Sequence, residues 1–254
     1  SGGSGGRSGS VLALRALAVF SELAGAGDEQ FAVVVGHNLL DAGLELWRGA
    51  DPLVQLNAVE LFGALGRAPA GVVWLEEHEV LVELVGVVRV PIGEDVMMDL
   101  LRPAVVGCLA TLLEGGGARA ADVLLGRLRL VGELWHLLAA REVEQLCAAL
   151  AALCAAAASP AGMSAILGAV AAESGGTLAA LLRAHDEKTR VGALSVTAQL
   201  VATHAAHAGA PTSARVVGSS MATDEEATAP TGAHEAALRV LVEACGSAAT
   251  SAVD

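Results

Sequence analysis

Apolar residues recur at three- and four-residue steps through most of the chain, and one stretch sets the pattern for the rest. In residues 51–66, DPLVQLNAVELFGALG, the positions Leu53, Leu56, Val59, Leu61, Phe62 and Leu65 share one face of a helix. Asp51-Pro52 in front supplies a cap and a first-turn proline, and Gly66 supplies the stop. The chain then repeats itself. VGALSVTAQLVA (191–202) matches this stretch at an offset of 135, and RALAVFSELAG (15–25) matches it at 42. EAALRVLVEA (235–244) follows the later copy by 44. These offsets describe a single repeat unit of about 42 residues.

The pattern predicts helices over 11–24, 29–35 and 38–47, then over 51–66, 69–77 and 79–90. A helix, a short helix, a longer helix and then an Asp-bearing turn make an armadillo-type unit rather than a two-helix one. A third unit is expected from Glu94, with its first helix interrupted at Pro103 and a flexible insertion at Gly115-Gly116-Gly117. Helices over 118–125 and 127–139 would complete it. A degenerate fourth unit follows over 142–157 and 160–172, then a helix over 177–184 and the copy at 191–202.

The expected fold is therefore all-α, an armadillo/HEAT-like right-handed helical solenoid of about four to five repeats. The Gly/Ser-rich residues 1–10 are expected to be a disordered tail or linker, and 11–205 the solenoid. Residues 206–232, rich in Ala, Thr, Ser, Pro and Gly, are expected to be a disordered loop, and 233–254 a partial terminal repeat. A solenoid end needs a polar cap. No such cap is visible in the pattern, so the array is expected to continue.

Composition narrows the function classes. Fifteen Lys and Arg stand against 28 Asp and Glu, a formal net charge of −13, and Lys188 is the only lysine. That balance disfavours nucleic acid and anionic membrane and favours a basic protein partner. The aromatic stock is three Trp and three Phe with no Tyr, so no stacking platform for single strands is offered. Residues 145–172 carry no charge over 28 positions, but they are mostly Ala and are broken at Ser159-Pro160. Two packed alanine-rich helices are expected there, not a membrane span. Cys108, Cys147, Cys154 and Cys245 show no C-x-x-C spacing and are expected to be free thiols in a reducing compartment, the cytoplasm with the nucleus in addition.

No P-loop, dinucleotide fingerprint, nucleophile elbow or zincin motif occurs in the sequence, and no catalytic residue, cofactor or metal is expected. Glu76-Glu77-His78-Glu79 is read as a solvated helix junction, and His204 with His207 as exposed histidines at a helix end. Cys147 and Cys154, seven apart, are read as one stripe of core. The one constellation with a binding implication lies on the third helices. At an offset of 42 Asp41 falls under Glu83, and Glu133 continues the row if the third unit carries eight extra residues. With Glu45 and Glu79 beside them, these residues predict an acidic ladder facing a basic segment. Reversing Asp41 and Glu83 to Lys is expected to weaken a basic partner and leave the fold intact.

DPLVQLNAVELFGALG followed by AGVVWLEEHEVLVELVGVV has the general armadillo form. LLRPAVVGCLATLL followed by HDEKTRVGALSVTAQLVA resembles the middle of the family of the proteasome non-ATPase regulatory subunit five. The resemblance covers about 50–113 and 185–202, with a hint at 235–244, and rests on apolar and small residues. It implies a non-enzymatic solenoid that binds the carboxy-terminal domain of a proteasomal ATPase subunit during assembly of the regulatory-particle base. The alternative is a generic armadillo scaffold or adaptor, and a monomer is expected for the free protein. The chain departs from the family in being about half its usual length and in its Gly/Ala-rich stretches, so no binding residue is carried over.

Overall fold

The computed structural model describes residues 5–38, 40–173, 176–208 and 231–251, all of them helical or in the turns between helices. The first unit is α1 (Gly5–Gly25), α2 (Asp28–Gly36) and α3 (Asp41–Trp47). The second is α4 (Pro52–Leu65), α5 (Pro69–Glu77) and α6 (Val80–Arg89). The third is α7 (Val96–Gly115), α8 (Gly117–Ala121) running into a π-helical turn at Asp122–Arg127, and α9 (Leu130–Leu137). The fourth is α10 (Val143–Ala157), α11 (Pro160–Ala172) and α12 (Gly176–Leu181). The fifth is α13 (Glu187–Ala208) followed by α14 (Thr231–Ser251). The first helices α1, α4, α7, α10 and α13 pack side by side in that order, which makes the chain an armadillo solenoid.

The first helices begin where the sequence places caps. Asp51 Oδ1 accepts from the Leu53 N–H at 3.0 Å, Asp95 from Met97 at 2.8 Å, and Asp186 from Thr189 at 2.8 Å. Each carboxylate satisfies an orphan donor and faces the positive end of the helix dipole. Behind the caps, Val59, Phe62 and Leu65 of α4 are buried against α7, whose Val105, Leu109 and Leu112 are buried in turn. The expected apolar face of α4 is real except at its start, where Leu53 is 68% exposed. α10 lies between α7 and α13, and its Ala149, Ala152 and Ala156 are fully buried. Small side chains let these three helices approach closely, so the alanine-rich stretch 145–172 forms two packed helices as the sequence predicts. Among the described residues one helix, Val96–Gly115, is long and apolar enough to cross a bilayer, and 44% of its apolar window is buried inside the protein.

Several expectations are corrected. α1 starts at Gly5, within the stretch read as a tail, because extending a formed helix costs far less than nucleating one. Pro103 does not interrupt α7, which runs unbroken through it. Gly115-Gly116-Gly117 is not a flexible insertion. A Cβ on Gly115 would sit 2.8 Å from Arg67 Cα, and one on Gly116 would sit 2.5 Å from Val72 Cγ2. Gly117 has φ +62°, which glycine adopts without penalty. The extra length of the third unit lies mainly in α7, 20 residues against 14 in α4. α13 reaches Ala208 and α14 begins at Thr231, so residues 209–230, the bulk of the expected loop 206–232, lie outside the described residues. α14 does not start a sixth unit. It packs on α11, α12 and α13 through Leu238, Leu241 and Ala244, and so closes the fifth.

One repeated device was not read from the sequence. Pro69-Ala70-Gly71 and Pro160-Ala161-Gly162 open the second helices of the second and fourth units. A Cβ on Gly71 would lie 2.0 Å from the Leu65 carbonyl oxygen, and one on Gly162 would lie 2.1 Å from that of Ala156. The second helix can therefore fold back onto the end of the first only where this residue has no side chain. In an open helix Gly→Ala gains about 1 kcal/mol from propensity. Here the carbonyl cannot give way, and the overpacking term of ~1–3 kcal/mol is larger. Gly71→Ala is expected to lower stability by ~1–2 kcal/mol in urea unfolding, whereas Gly86→Ala, with open space around it, is expected to raise it.

Candidate functional site: the row of third helices

The third helices are set by a strained residue at each elbow. Asn38, Glu79 and Arg129, each shortly before its third helix, are the non-glycine residues with positive φ among the described residues, at 54°, 64° and 53°. A left-handed conformation costs a non-glycine residue of order 1 kcal/mol, and it recurs here because the same sharp reversal recurs. These residues fix the register of the row at steps of 41 and 50. Burial confirms it: residues 81–90 and 131–140 run through nearly the same sequence of buried, half-buried and exposed positions.

In that register Glu83 and Glu133 are equivalent, as the ladder expects. Asp41 is not under Glu83; it aligns with Val82 and Gly132, and Ala42 takes the Glu83 place. The expected offset of 42 was one residue too long, because the left-handed residue counts 41. Glu45 aligns with Gly86 and His136 on the exposed side. Glu79 is the elbow residue itself.

Glu83 and Glu133 are engaged by the preceding unit. Arg48 Nη2 lies 2.9 Å from Glu83 Oε1 and donates to the His78 carbonyl at 2.8 Å. Arg89 Nε lies 3.0 Å from Glu133 Oε1, and its Nη2 donates to the Leu128 carbonyl at 2.9 Å. The two clamps are one motif used twice: an arginine ending one third helix grips a glutamate in the next, together with the carbonyl just before the left-handed residue. Glu83 has a further partner, since Trp47 Nε1 donates to its Oε2 at 2.6 Å. Trp47 is buried and meets Phe62 edge-on at 6.2 Å, so the α3 end of this clamp reaches into the core. Arg48 and Arg89 are 41 apart, and this pairing is a signal the sequence carries in plain view.

The five acidic residues therefore divide. Glu83 and Glu133 hold units together, and their charge is compensated. Asp41, Glu45 and Glu79 are exposed and make no ion pair among the described residues. Negative charge is thus concentrated on α3 and at the elbow of α6, while Gly132, His136 and Ala139 occupy the exposed positions at α9.

The other candidates are also placed. Glu76 is not part of a solvated junction. It receives Arg119, at 2.7 Å, and Arg127 from the next unit, tying α5 to α8 and the π turn. Partial burial raises its pKa, but these two arginines outweigh it and hold the carboxyl below its ordinary value of 4.5. His78 stacks on Trp74 with ring centroids 4.2 Å apart, and its Nδ1 is 2.8 Å from the Trp74 carbonyl. His207 Nδ1 is 2.8 Å from the Thr203 carbonyl, and no group of three or more metal-ligating side chains forms among the described residues. Cys147 and Cys154 are both half-buried, and Cys154 packs against the core. With Glu114, Lys188 and Ser195 they line a shallow hollow of about 290 Å³ on the first-helix side. Burial pushes the Cys108 thiol up to about 12, which makes it a poor nucleophile.

The expectation that Glu83 can be reversed without cost to the fold is withdrawn, because its carboxylate is the acceptor for a buried indole. Glu83→Ala is expected to cost ~1–3 kcal/mol, the price of an unpaired buried donor. Arg89→Ala breaks an exposed ion pair and an exposed hydrogen bond to the Leu128 carbonyl, leaves no buried donor unpaired, and is expected to cost ~0–1 kcal/mol. Chemical denaturation of the two variants would distinguish these values.

No protein-family model and no curated protein matches the chain. Solved structures do. A designed armadillo repeat protein in complex with the peptide (KR)4 superimposes with a TM-score of 0.58 at 18% identity, covering 95% of each chain. A second designed armadillo repeat protein gives 0.56 at 20% identity, covering 91% of this chain and 92% of that one. A computationally designed armadillo protein for modular peptide recognition gives 0.53 at 19% identity, with 91% and 92% covered. The chain is thus similar to armadillo solenoids over nearly its whole length.

Proposed function

We propose that this chain is a non-enzymatic protein-binding solenoid that takes a basic segment of a partner along its row of third helices. The observation that carries the reading is the division of the acids: Asp41, Glu45 and Glu79 are left exposed and uncompensated at one end of a row whose other glutamates are clamped. Stacked units offer a long, regular surface, which suits extended recognition. One structural neighbour is a designed solenoid complexed with a peptide of alternating lysine and arginine, which fits the same charge logic.

Within that class, the resemblance of 50–113 and 185–202 supports a finer reading: a cytoplasmic assembly chaperone of the proteasome regulatory particle that holds an ATPase subunit of the base. Co-purification with proteasomal ATPases, but not with the mature particle, is the expected result; stable presence in the mature particle would overturn this finer reading. The broader reading is tested separately by fluorescence anisotropy with a labelled (Lys-Arg)4 peptide. Asp41→Lys with Glu45→Lys is expected to weaken binding at least about tenfold, and binding should fall as salt rises. Equal binding by the variant would sink the groove assignment.

A further inference from the structure

The most exposed large apolar side chain among the described residues, Val96 at 80%, is not on the third helices. It opens α7, in the company of Ile92 at 46%, Met97 at 39% and Leu100 at 53%, with Val143 at 41% opening α10. Large apolar side chains scattered singly over a surface need no explanation, but a group of them does.

These residues belong to one locale because a buried network ties it together. Arg102 of α7 is fully buried. Its Nη2 donates to the Val90 carbonyl at 2.7 Å, and its Nη1 donates to Asp99 and to Gln145 Oε1 of α10 at 3.3 Å. Asp99 Oδ2 in turn accepts from the Gly93 N–H at 2.9 Å, and Gln145 Nε2 donates to Glu142 Oε2 at 2.9 Å. The turn before α7, the first two turns of α7 and the first turn of α10 are thereby one fixed body. Burying a guanidinium is costly unless its partners are held in place, so this edge is built, not loose.

The charge around the patch selects its occupant. Glu94, Asp95, Glu142 and Glu144 are all exposed beside it, and Arg141 is the cation in the adjoining turn. An anionic bilayer and a second copy of the same edge would both meet like charge. An apolar strip bordered by carboxylates complements a helix with leucine-like residues on one face and lysines or arginines flanking them.

We propose that this edge, formed by Ile92, Val96, Met97, Leu100 and Val143, docks a basic amphipathic helix of a protein partner, as a second surface distinct from the third-helix row. The probe is a labelled synthetic Leu/Lys peptide with Leu at i, i+3, i+4 and i+7, compared with its Leu/Glu counterpart. The native chain is expected to bind the Leu/Lys peptide at least about tenfold more tightly than the Leu/Glu one. Val96→Ser with Leu100→Ser, and separately Glu94→Lys with Glu144→Lys, are each expected to weaken binding by at least about tenfold with an unchanged circular dichroism spectrum. All four residues are exposed or at the surface, so neither pair removes core. The groove variant carrying Asp41→Lys and Glu45→Lys should bind the Leu/Lys peptide as the native chain does. The proposal is overturned if the peptide fails to bind, if only the groove variant loses it, or if both peptides bind equally. Flotation of the chain with phosphatidylserine vesicles, lost on Val96→Ser with Leu100→Ser, would reassign the patch to a membrane and overturn it too.

Discussion

No unit of this protein can bury its own apolar surface, and the structure follows from that constraint. A three-helix unit exposes an apolar face on each side of its first helix, and only the next first helix can cover it. Val59, Phe62 and Leu65 of α4 need α7, Val105 and Leu109 of α7 stand between α4 and α10, and α10 needs α13. The order of the first helices is thus a chain of obligations, each met by a neighbour in sequence, and stability is shared along the array. α14 meets the last of those described by lying across α11, α12 and α13.

Stacking of the first helices sets the spacing, and short-range devices set the angle. At the elbow from first to second helix, Gly71 and Gly162 let backbone meet carbonyl. At the elbow from second to third, Asn38, Glu79 and Arg129 take up a left-handed turn. The Arg48–Glu83 and Arg89–Glu133 clamps then join one third helix to the next at the surface. Each exposed pair contributes little by itself, about 0–1 kcal/mol, so its role is to fix relative position more than to hold the fold. This division of labour also frees charge. Glutamates spent on clamps are unavailable to a partner, and the acids left over mark the end of the row where a cation would gain most.

Much of this was legible in the sequence. The period near 42 and the capping Asp51 come from local rules that hold in any tertiary setting, and so do Pro160 opening a helix and the alanine-rich pair of helices. The errors came where a local signal was overruled. Pro103 reads as a break, yet α7 is held on both sides by α4 and α10 and continues. Gly115–Gly117 reads as slack, yet two of its glycines are small because Arg67 and Val72 press against them. The acidic ladder is out of register by one residue at Asp41, since the third helices of the first two units step by 41 while the first-helix pattern steps by 42.

The sequence by itself determined that this is a helical repeat protein, where α4 and α10 begin to within a residue, and that its surface is acidic. Those properties depend on neighbours within a few positions or on composition. Only the tertiary structure decided which acids are free, because that depends on an arginine 35 residues away for Glu83 and 44 away for Glu133. It alone also gathered Ile92, Val96, Leu100 and Val143 onto one edge, through an arginine that reaches from α7 to the turn before it and to α10, the first helix of the next unit. Periodicity distinguishes a buried face from an exposed one along a single helix. Which exposed residues stand together is set by packing between helices.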